Sequence, residues 1–346
     1  VNLTKRPVIG ITIGDPAGIG PEICVKALAK NEVYENSIPV VYADRIVLED
    51  ALEITGKKFI LNPVKKPSQA CGILGTFDFI ESGAIKKRGD YLHGEAAAKS
   101  GEAAFQYIVK AINDAMVGET AAVVTCPINK EAINLAGHLF AGHTEIFAHY
   151  TDTKDYGMLL SARSGSRCLN VIHVTTHVGL AKACELITAE RVLKTIILAD
   201  KALAMMGSKT RRVAVAGLNP HSSENGLFGS EEADAIIPAI REASSKGINV
   251  TGPLPPDTVF VKALGGQFDI VVAMYHDQGH IPLKLCGFAT DIKGIISSAG
   301  GVNATIGLPI IRTSVDHGTA YDIAGKNLAN EDSLIDALEM AVKFSR

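Results

Sequence analysis

Three apolar, β-type segments of this chain each run into a histidine: VIHVTTH ends at His177, VAVAGLNPH at His221 and IVVAMYH at His276. An apolar run closed by polar punctuation reads as a buried strand of a parallel sheet, and ligands of such sheets sit just beyond the strand carboxyl ends. Three imidazoles brought to one rim form a donor set for a divalent metal, with open positions left for a substrate. Each one alone reads more simply as a hydrogen-bonded rim histidine. Their shared position is what makes a set.

Five loops hold the other residues able to do chemistry. In GDPAGIGPE the glycines are spaced G-x-x-x-G-x-G, against the G-x-G-x-x-G of a dinucleotide fingerprint. Asp44 stands where a ribose-binding acid would be expected, but the glycine spacing disagrees, which leaves Asp15 as a helix-capping acid or a substrate contact. No GxxxxGK[ST] occurs, so nucleotide hydrolysis of that type is unsupported. In GHTE, the side chains of His143 and Thr144 donate and accept hydrogen bonds, which suits a hydroxylated or phosphorylated substrate; Thr144 reads equally as the cap of a helix beginning near Glu145. NPHSSENGLFGSEE leads into a helix whose first turn is already complemented by Glu231 and Glu232, so His221 carries that loop and a phosphate site does not. In YHDQGHIPLKL, Asp277 can fix the tautomer of a ligand histidine and Lys284 can anchor a phosphate, while His280 reads as a turn residue. In GLPIIRTSVDHGTAYDIAGK, Arg312 is a bidentate partner for phosphate or carboxylate, or else half of a surface ion pair. Residues 317–326 are too punctuated by glycine for a helix and read as a functional loop.

The elements that must carry these loops alternate short β-branched runs with longer amphipathic stretches, the α/β pattern. Strands are expected at Val8 to Ile13, Val40 to Tyr42 and Ala121 to Thr125. Helices are expected from Pro21, over Arg45 to Thr55 with Gly56 closing it, Gly94 to Val117, Ala189 to Met206 capped by Thr188, Glu231 to Lys246, and Asp332 to Phe344. At 346 residues the chain is long enough for two lobes, and no Pro/Ser-rich hinge separates them, so they share a sheet or interleave. Hydrophobic content of 47%, charged content of 21% and a net charge of -3 fit a globular protein with no call for nucleic acid or an anionic membrane. No apolar run approaches membrane-spanning length and no signal pattern opens the chain, so a cytoplasmic location is expected. The six cysteines form no CxxC pair and read as reduced core thiols, with Cys126 a minor candidate nucleophile.

The segments IGITIGDPAGIGPE, CPINKEAI, GHTE, THVGL, GLNPH, GPLPPDTVF, YHDQG and GLPIIRTSVDHGTA together resemble, in order and over nearly the whole chain, the 4-hydroxythreonine 4-phosphate dehydrogenase family. The loop DHGTAYDIAGK is similar also to the cofactor loop of the isocitrate and isopropylmalate dehydrogenases. The resemblance implies a two-lobed α/β/α isocitrate/isopropylmalate dehydrogenase-like fold with a cleft between lobes, one lobe of 1–128 and 290–346 with the cofactor loop, the other of 129–289 with the metal-binding histidines and dimer contacts. It implies one divalent metal ion (Zn, Co, Mn or Ni) on His177, His221 and His276, one ligand coming from the partner subunit of a homodimer. His143, Thr144, Asp257, Lys284, Asn303 and Arg312 then contact the phosphorylated substrate. Asp322 and Ile323 fall where NAD's adenosine is held, and a carboxylate there favours NAD over NADP.

Asp257, Lys130 and His143, in that order, are candidates for the general base. NPHSSENGLFGSEE and YHDQGHIPLKL look more like the branch that oxidises 4-phospho-D-threonate or 4-phospho-D-erythronate at C3, with decarboxylation to dihydroxyacetone phosphate, than the vitamin B6 branch. Alternatives are the B6 intermediate itself, a cis-dihydrodiol carboxylate, and a non-redox metal-dependent phosphosugar-binding protein. The chain departs from the family pattern by an insert, ATDIKGIISSAGG, between Phe288 and Asn303.

Overall fold

A computed structural model describes residues 6–290, 296–299 and 301–346, of which 288–290 and 296–299 are described by their backbone alone. The chain forms two compact units, Val1–Lys154 with Leu308–Arg346, and Asp155–Gly307. The first begins with β1 (Val8–Thr12), α1 (Gly20–Leu28), α2 (Asn31–Asn36), β2 (Ile38–Tyr42), α3 (Arg45–Thr55), β3 (Ile60–Pro63), β4 (Thr76–Ile80), α4 (Ala98–Met116), β5 (Ala122–Thr125), α5 (Lys130–Leu135) and α6 (His143–Tyr150). The second holds β6 (Gly157–Ser164), β7 (Arg167–His173), α7 (Leu180–Leu186), α8 (Ala189–Met205), β8 (Val213–Ala216), α9 (Ile237–Ser245), β9 (Val250–Leu254), α10 (Val259–Leu264), β10 (Ile270–Ala273), α11 (His276–Gly287), β11 (Phe288–Thr290), β12 (Ile296–Ala299) and β13 (Val302–Ile306). The chain then returns to the first unit for β14 (Ile311–Val315) and α12 (Asp332–Phe344).

In the first unit the strands lie parallel in the order β3-β4-β2-β1-β5-β14. In the second the order is β13-β6-β7-β10-β8-β9, antiparallel from β13 to β7 and parallel from β7 onward. The continuous apolar runs AVVT, VAVA and IVVA become β5, β8 and β10, and each is buried at every position. Alternation is absent because helices cover both faces, and each buried Val or Ile contributes about 1.5–3 kcal/mol. In the second unit Leu160, Leu169, Val171, Val271, Phe260 and Leu283 gather into one core cluster beneath the strand ends.

Caps set several boundaries as expected. α8 starts at Ala189 because the Thr188 hydroxyl accepts the Arg191 N–H, and α3 stops at Gly56, which takes a left-handed φ of 66°. α4 starts four residues later than expected, since Gly94 sits in a loop with φ +79° and gives its N–H to the Ala17 carbonyl. Pro21 is the second helical residue of α1, after Gly20. The stretch expected as one helix from Glu231 opens with a wider π-type turn over Glu232–Ile236 before α9. Pro238 has no N–H for an α-helical bond, and the wide turn accommodates that.

The division falls elsewhere than at 128 and 290. α5 packs on α4 within the first unit, where a Cβ on Gly101 would lie 2.0 Å from the Ala132 carbonyl oxygen, so that glycine alone allows the approach. β13 pairs with β6 and stays in the second. Of the insert, β11 and β12 pair antiparallel, and residues 291–295 and 300 lie outside the described residues. No helix among the described residues is long and apolar enough to cross a membrane.

Candidate active site

In the second unit β7, β10 and β8 are parallel neighbours, and the three histidine-bearing segments leave their carboxyl ends. The rim beyond the strands is laced together. Val174 gives its N–H to the Ala273 carbonyl, and Thr175 gives its N–H and its hydroxyl to that of Met274. The buried Gln278 amide accepts from the Met274 N–H at 2.7 Å and donates to the Gly217 carbonyl at 2.8 Å, tying the end of β10 to that of β8. These bonds replace the hydration lost on burial and set where each loop departs.

His276 opens α11, and its Nδ1 lies 2.7 Å from Asp277 Oδ1. A carboxylate on Nδ1 fixes the proton there and leaves Nε2 as the ligating atom, the arrangement read for Asp277 from the sequence. The His177 ring lies 5.5 Å from that of His276, centre to centre. His280 lies on α11, not in a turn: four residues on from His276 it shares that helix face, stacks on its ring at 3.6 Å and donates from Nδ1 to its carbonyl. His173, the last residue of β7, is buried 4.7 Å from His280, and burial, with the neighbouring imidazoles, pushes it down to about 3. His173 is internal to VIHVTTH, and the signal available for it is a histidine set among apolar residues two positions before the polar TTH.

His221 sits on a run of left-handed residues, His221 to Asn225, with φ of 52, 56, 74, 42 and 59°; His177 also has φ 47°. Such conformations cost non-glycine residues about 1–3 kcal/mol each and cluster at functional sites. The entrance to the run is held by Glu232, whose buried carboxylate accepts the N–H groups of Leu218 and Asn219 at 2.8 Å, while Glu231 and Glu232 both accept from the Asn219 side-chain amide. His221 Nδ1 lies 2.7 Å from Glu224 Oε1; that bond, and less strongly the Asp257 carboxylate, raises its affinity for a proton. Among the described residues, no group of three His, Cys, Asp or Glu side chains converges to hold a metal ion; the structure brings His177 and His276 together and does not bring His221 into a group with them. Lys284 lies a further four residues along α11, Asp257 is exposed before α10, and Asn303 on β13 has a buried Oδ1 with no partner among the described residues.

In the first unit Arg312 is 2% exposed, which removes the surface ion pair as a reading. It lies on β14 opposite Val123 of β5, donates to the Thr125 hydroxyl at 2.8 Å and places its guanidinium 5.6 Å from the Phe147 ring centre. Burial pushes it down to about 9, so it keeps its charge at neutral pH. Beside it α6 opens with His143. The helix is capped by Gly142 with no side-chain bond, so Thr144 sits inside the first turn and does not cap it. That first turn also carries Glu145, whose charge acts on Arg312, so the helix end is partly complemented and the buried guanidinium is what favours an anion.

His143 has a buried Nε2 without a partner among the described residues, and burial together with the Arg312 charge lowers it well below the usual histidine range. It is therefore neutral and a weak base at pH 7, suited to hydrogen bonding. Lys130 is exposed at the start of α5, whose Asn129 cap accepts the Ala132 N–H. Because the folded state resists protonating His143 and His173 while the unfolded chain takes up those protons near pH 6.5, their stabilising contribution is complete above pH 6.5 and is lost as pH falls. Each should cost about 1.4 kcal/mol per pH unit below 6.5. Denaturant unfolding of chelated protein at pH 7.5, 6 and 5 measures this, and His143→Gln should flatten the slope; equal stability at all three would contradict it.

Three residues have structural work instead of chemistry. Asp44 is 2% exposed and accepts the N–H groups of Ser82, Gly83 and Ile85 and the Tyr107 hydroxyl, so it holds a loop and not a ribose. Asp15 accepts the Ala17 N–H and the Tyr321 hydroxyl, while the Gly18 and Ile19 N–H groups go to the carbonyls of Asp15 and Thr319. The amides a pyrophosphate would need are thus already taken. Cys126 is fully buried and its thiol is pushed up by that burial, which excludes a nucleophile; Cys71 and Cys168, by contrast, are exposed and not in the core.

Two α/β units, one with histidines beyond adjacent parallel strand ends and one with a buried guanidinium at a helix terminus, define an enzyme built for an anionic small molecule. The chain belongs to the family of the pyridoxal phosphate biosynthetic protein PdxA, whose model matches residues 35–341. It is 45% identical over 98% of its length to D-threonate 4-phosphate dehydrogenase of Cupriavidus necator, covering 97% of that protein. It is 47% identical to a protein of Oceanobacillus iheyensis provisionally given the same name, over 99% of both chains. The crystal structure of 4-hydroxythreonine-4-phosphate dehydrogenase from Klebsiella pneumoniae superposes with a TM-score of 0.87 at 42% identity, over 99% of both.

Proposed function

We propose that this enzyme is an NAD- and divalent-metal-dependent dehydrogenase that oxidises 4-phospho-D-threonate or 4-phospho-D-erythronate at C3, the resulting β-keto acid losing CO2 to give dihydroxyacetone phosphate. The observation that carries the reading is the buried, still charged Arg312, a fixed cation for a phosphate dianion. The 45% identity to the Cupriavidus necator enzyme supports that substrate over the B6 intermediate.

Within this reading His143 and Thr144 hydrogen-bond the substrate, Lys284 and Arg312 neutralise its phosphate, and Asn303 offers its buried Oδ1 to a substrate hydroxyl. His177, His221 and His276 would hold the metal, one of them contributed by the partner subunit of a homodimer; the carboxylates on Nδ1 of His221 and His276 fit that role by presenting Nε2. A divalent ion there would lower the pKa of the substrate hydroxyl and stabilise the enolate left by decarboxylation. Asp257, whose carboxylate raises the proton affinity of His221, is the first choice as general base, ahead of Lys130 at the start of α5 and of His143, which burial and the Arg312 charge make a weak base. Asp322, exposed in the 317–326 loop, accepts the ribose hydroxyls of NAD and repels the 2′-phosphate of NADP. The test is product analysis: with 4-phospho-D-threonate and NAD, dihydroxyacetone phosphate should appear in equal amount to reduced nicotinamide and disappear on chelation. Reduction of NAD with no triose phosphate formed would overturn the decarboxylating step.

A further inference from the structure

The GDPAGIGPE segment has no part in the reaction above, yet it and α1 hold the 317–326 loop along its length. The Ile19 N–H donates to the Thr319 carbonyl at 3.0 Å. A Cβ on Gly18 would lie 2.9 Å from the Thr319 Cβ and 3.0 Å from its carbonyl oxygen, so the loop seats only on a glycine. The Tyr321 hydroxyl donates to Asp15 Oδ2 at 2.7 Å, and Asp15 Oδ1 is held by the Ala17 N–H at 2.8 Å. In the first turn of α1, Glu22 accepts the Gly325 N–H at 2.6 Å; in its last turn, Lys26 donates to the carbonyls of Asn327 and Ala329. Asp15 is fully buried, and Glu22 is 1% exposed with an Oε2 that has no partner among the described residues. Burying carboxylates to hold one hydroxyl and one amide is unfavourable in itself, which directs attention to the geometry they impose. Between those two anchors lie Asp322, exposed, and Ile323, half-buried.

We infer that Asp15 and Glu22 are positioning residues for the cofactor: they fix Tyr321 and Gly325 on either side of Asp322 and Ile323, so that the adenosine-binding surface is formed before NAD arrives. The inference rests on the proposed NAD role of that loop. A preformed loop avoids an ordering cost on binding, so its loss falls on cofactor affinity and not on hydride transfer. Tyr321→Phe and Glu22→Ala should each raise the Kd for NAD, measured by calorimetry without substrate, and the KM for NAD by about five- to tenfold with kcat nearly unchanged, the size expected when one or two groups must be ordered on binding. Glu22→Gln, which retains an oxygen for the Gly325 amide, should restore the native KM. If Glu22→Ala fails to fold, Tyr321→Phe decides, since it removes a single oxygen atom. Native NAD KM in Tyr321→Phe alongside a raised KM in Asp322→Ala would overturn the positioning role and leave the loop as the NAD site. No change in Asp322→Ala either would overturn the loop's assignment and the inference with it.

Discussion

His276→Ala is expected to lose about a thousandfold or more in turnover while staying folded, because a bound divalent ion contributes several kcal/mol to the transition state and each 1.36 kcal/mol is a factor of ten. The imidazole is 37% exposed at the start of α11, so its removal leaves no large cavity, and a thermal melt should stay close to the native one. Asp277→Ala, which removes only the carboxylate on Nδ1, should cost about 10–100-fold in metal affinity or activity. Full activity in a thoroughly chelated His276→Ala sample would remove the metal from these histidines.

Arg312→Met should lower kcat/KM by about thirtyfold to several thousandfold, chiefly through the substrate KM, since losing one partner of a buried charge pair costs about 2–5 kcal/mol. Arg312→Lys should rescue little: an ammonium cannot form the bidentate fork with phosphate, nor lie over Phe147 as the guanidinium does. The change is read by steady-state kinetics and by inorganic phosphate as a competitive inhibitor, whose inhibition should vanish in Arg312→Met. Unchanged KM and inhibition would place the phosphate elsewhere.

The sequence made legible whatever depends on local chemistry. α3 ends at its glycine and α8 begins at its threonine cap, α12 spans the expected Asp332–Phe344, and β5, β8 and β10 stand where unbroken apolar runs lie. The bond from His276 to Asp277 joins neighbours in sequence and was readable for that reason. Non-local facts were not. Asp44 has the spacing of a ribose-binding acid, and only the approach of residues 82–85 and Tyr107 shows its oxygens are occupied. Burial decides Arg312, and that burial comes from Thr125 of β5 and Phe147 of α6 meeting its guanidinium. Asn219-Pro220, Ser222, Ser223 and Asn225-Gly226 announce a turn, but nothing in the sequence announces five successive left-handed residues from His221 to Asn225. His173 and His280 became part of the histidine cluster only when β7 and α11 came side by side.

The central claim is the phosphorylated four-carbon hydroxy acid, and the most direct measurement is kcat/KM with NAD, followed at the reduced-nicotinamide band. 4-Phospho-D-threonate, 4-phospho-D-erythronate, 4-hydroxythreonine 4-phosphate and a cis-dihydrodiol carboxylate are assayed side by side. One of the two phosphorylated sugar acids should lead, because the buried Arg312 guanidinium favours a dianionic phosphate over a neutral diol. A wide lead for 4-hydroxythreonine 4-phosphate would contradict the substrate assignment; a lead for the dihydrodiol would contradict the phosphate site itself.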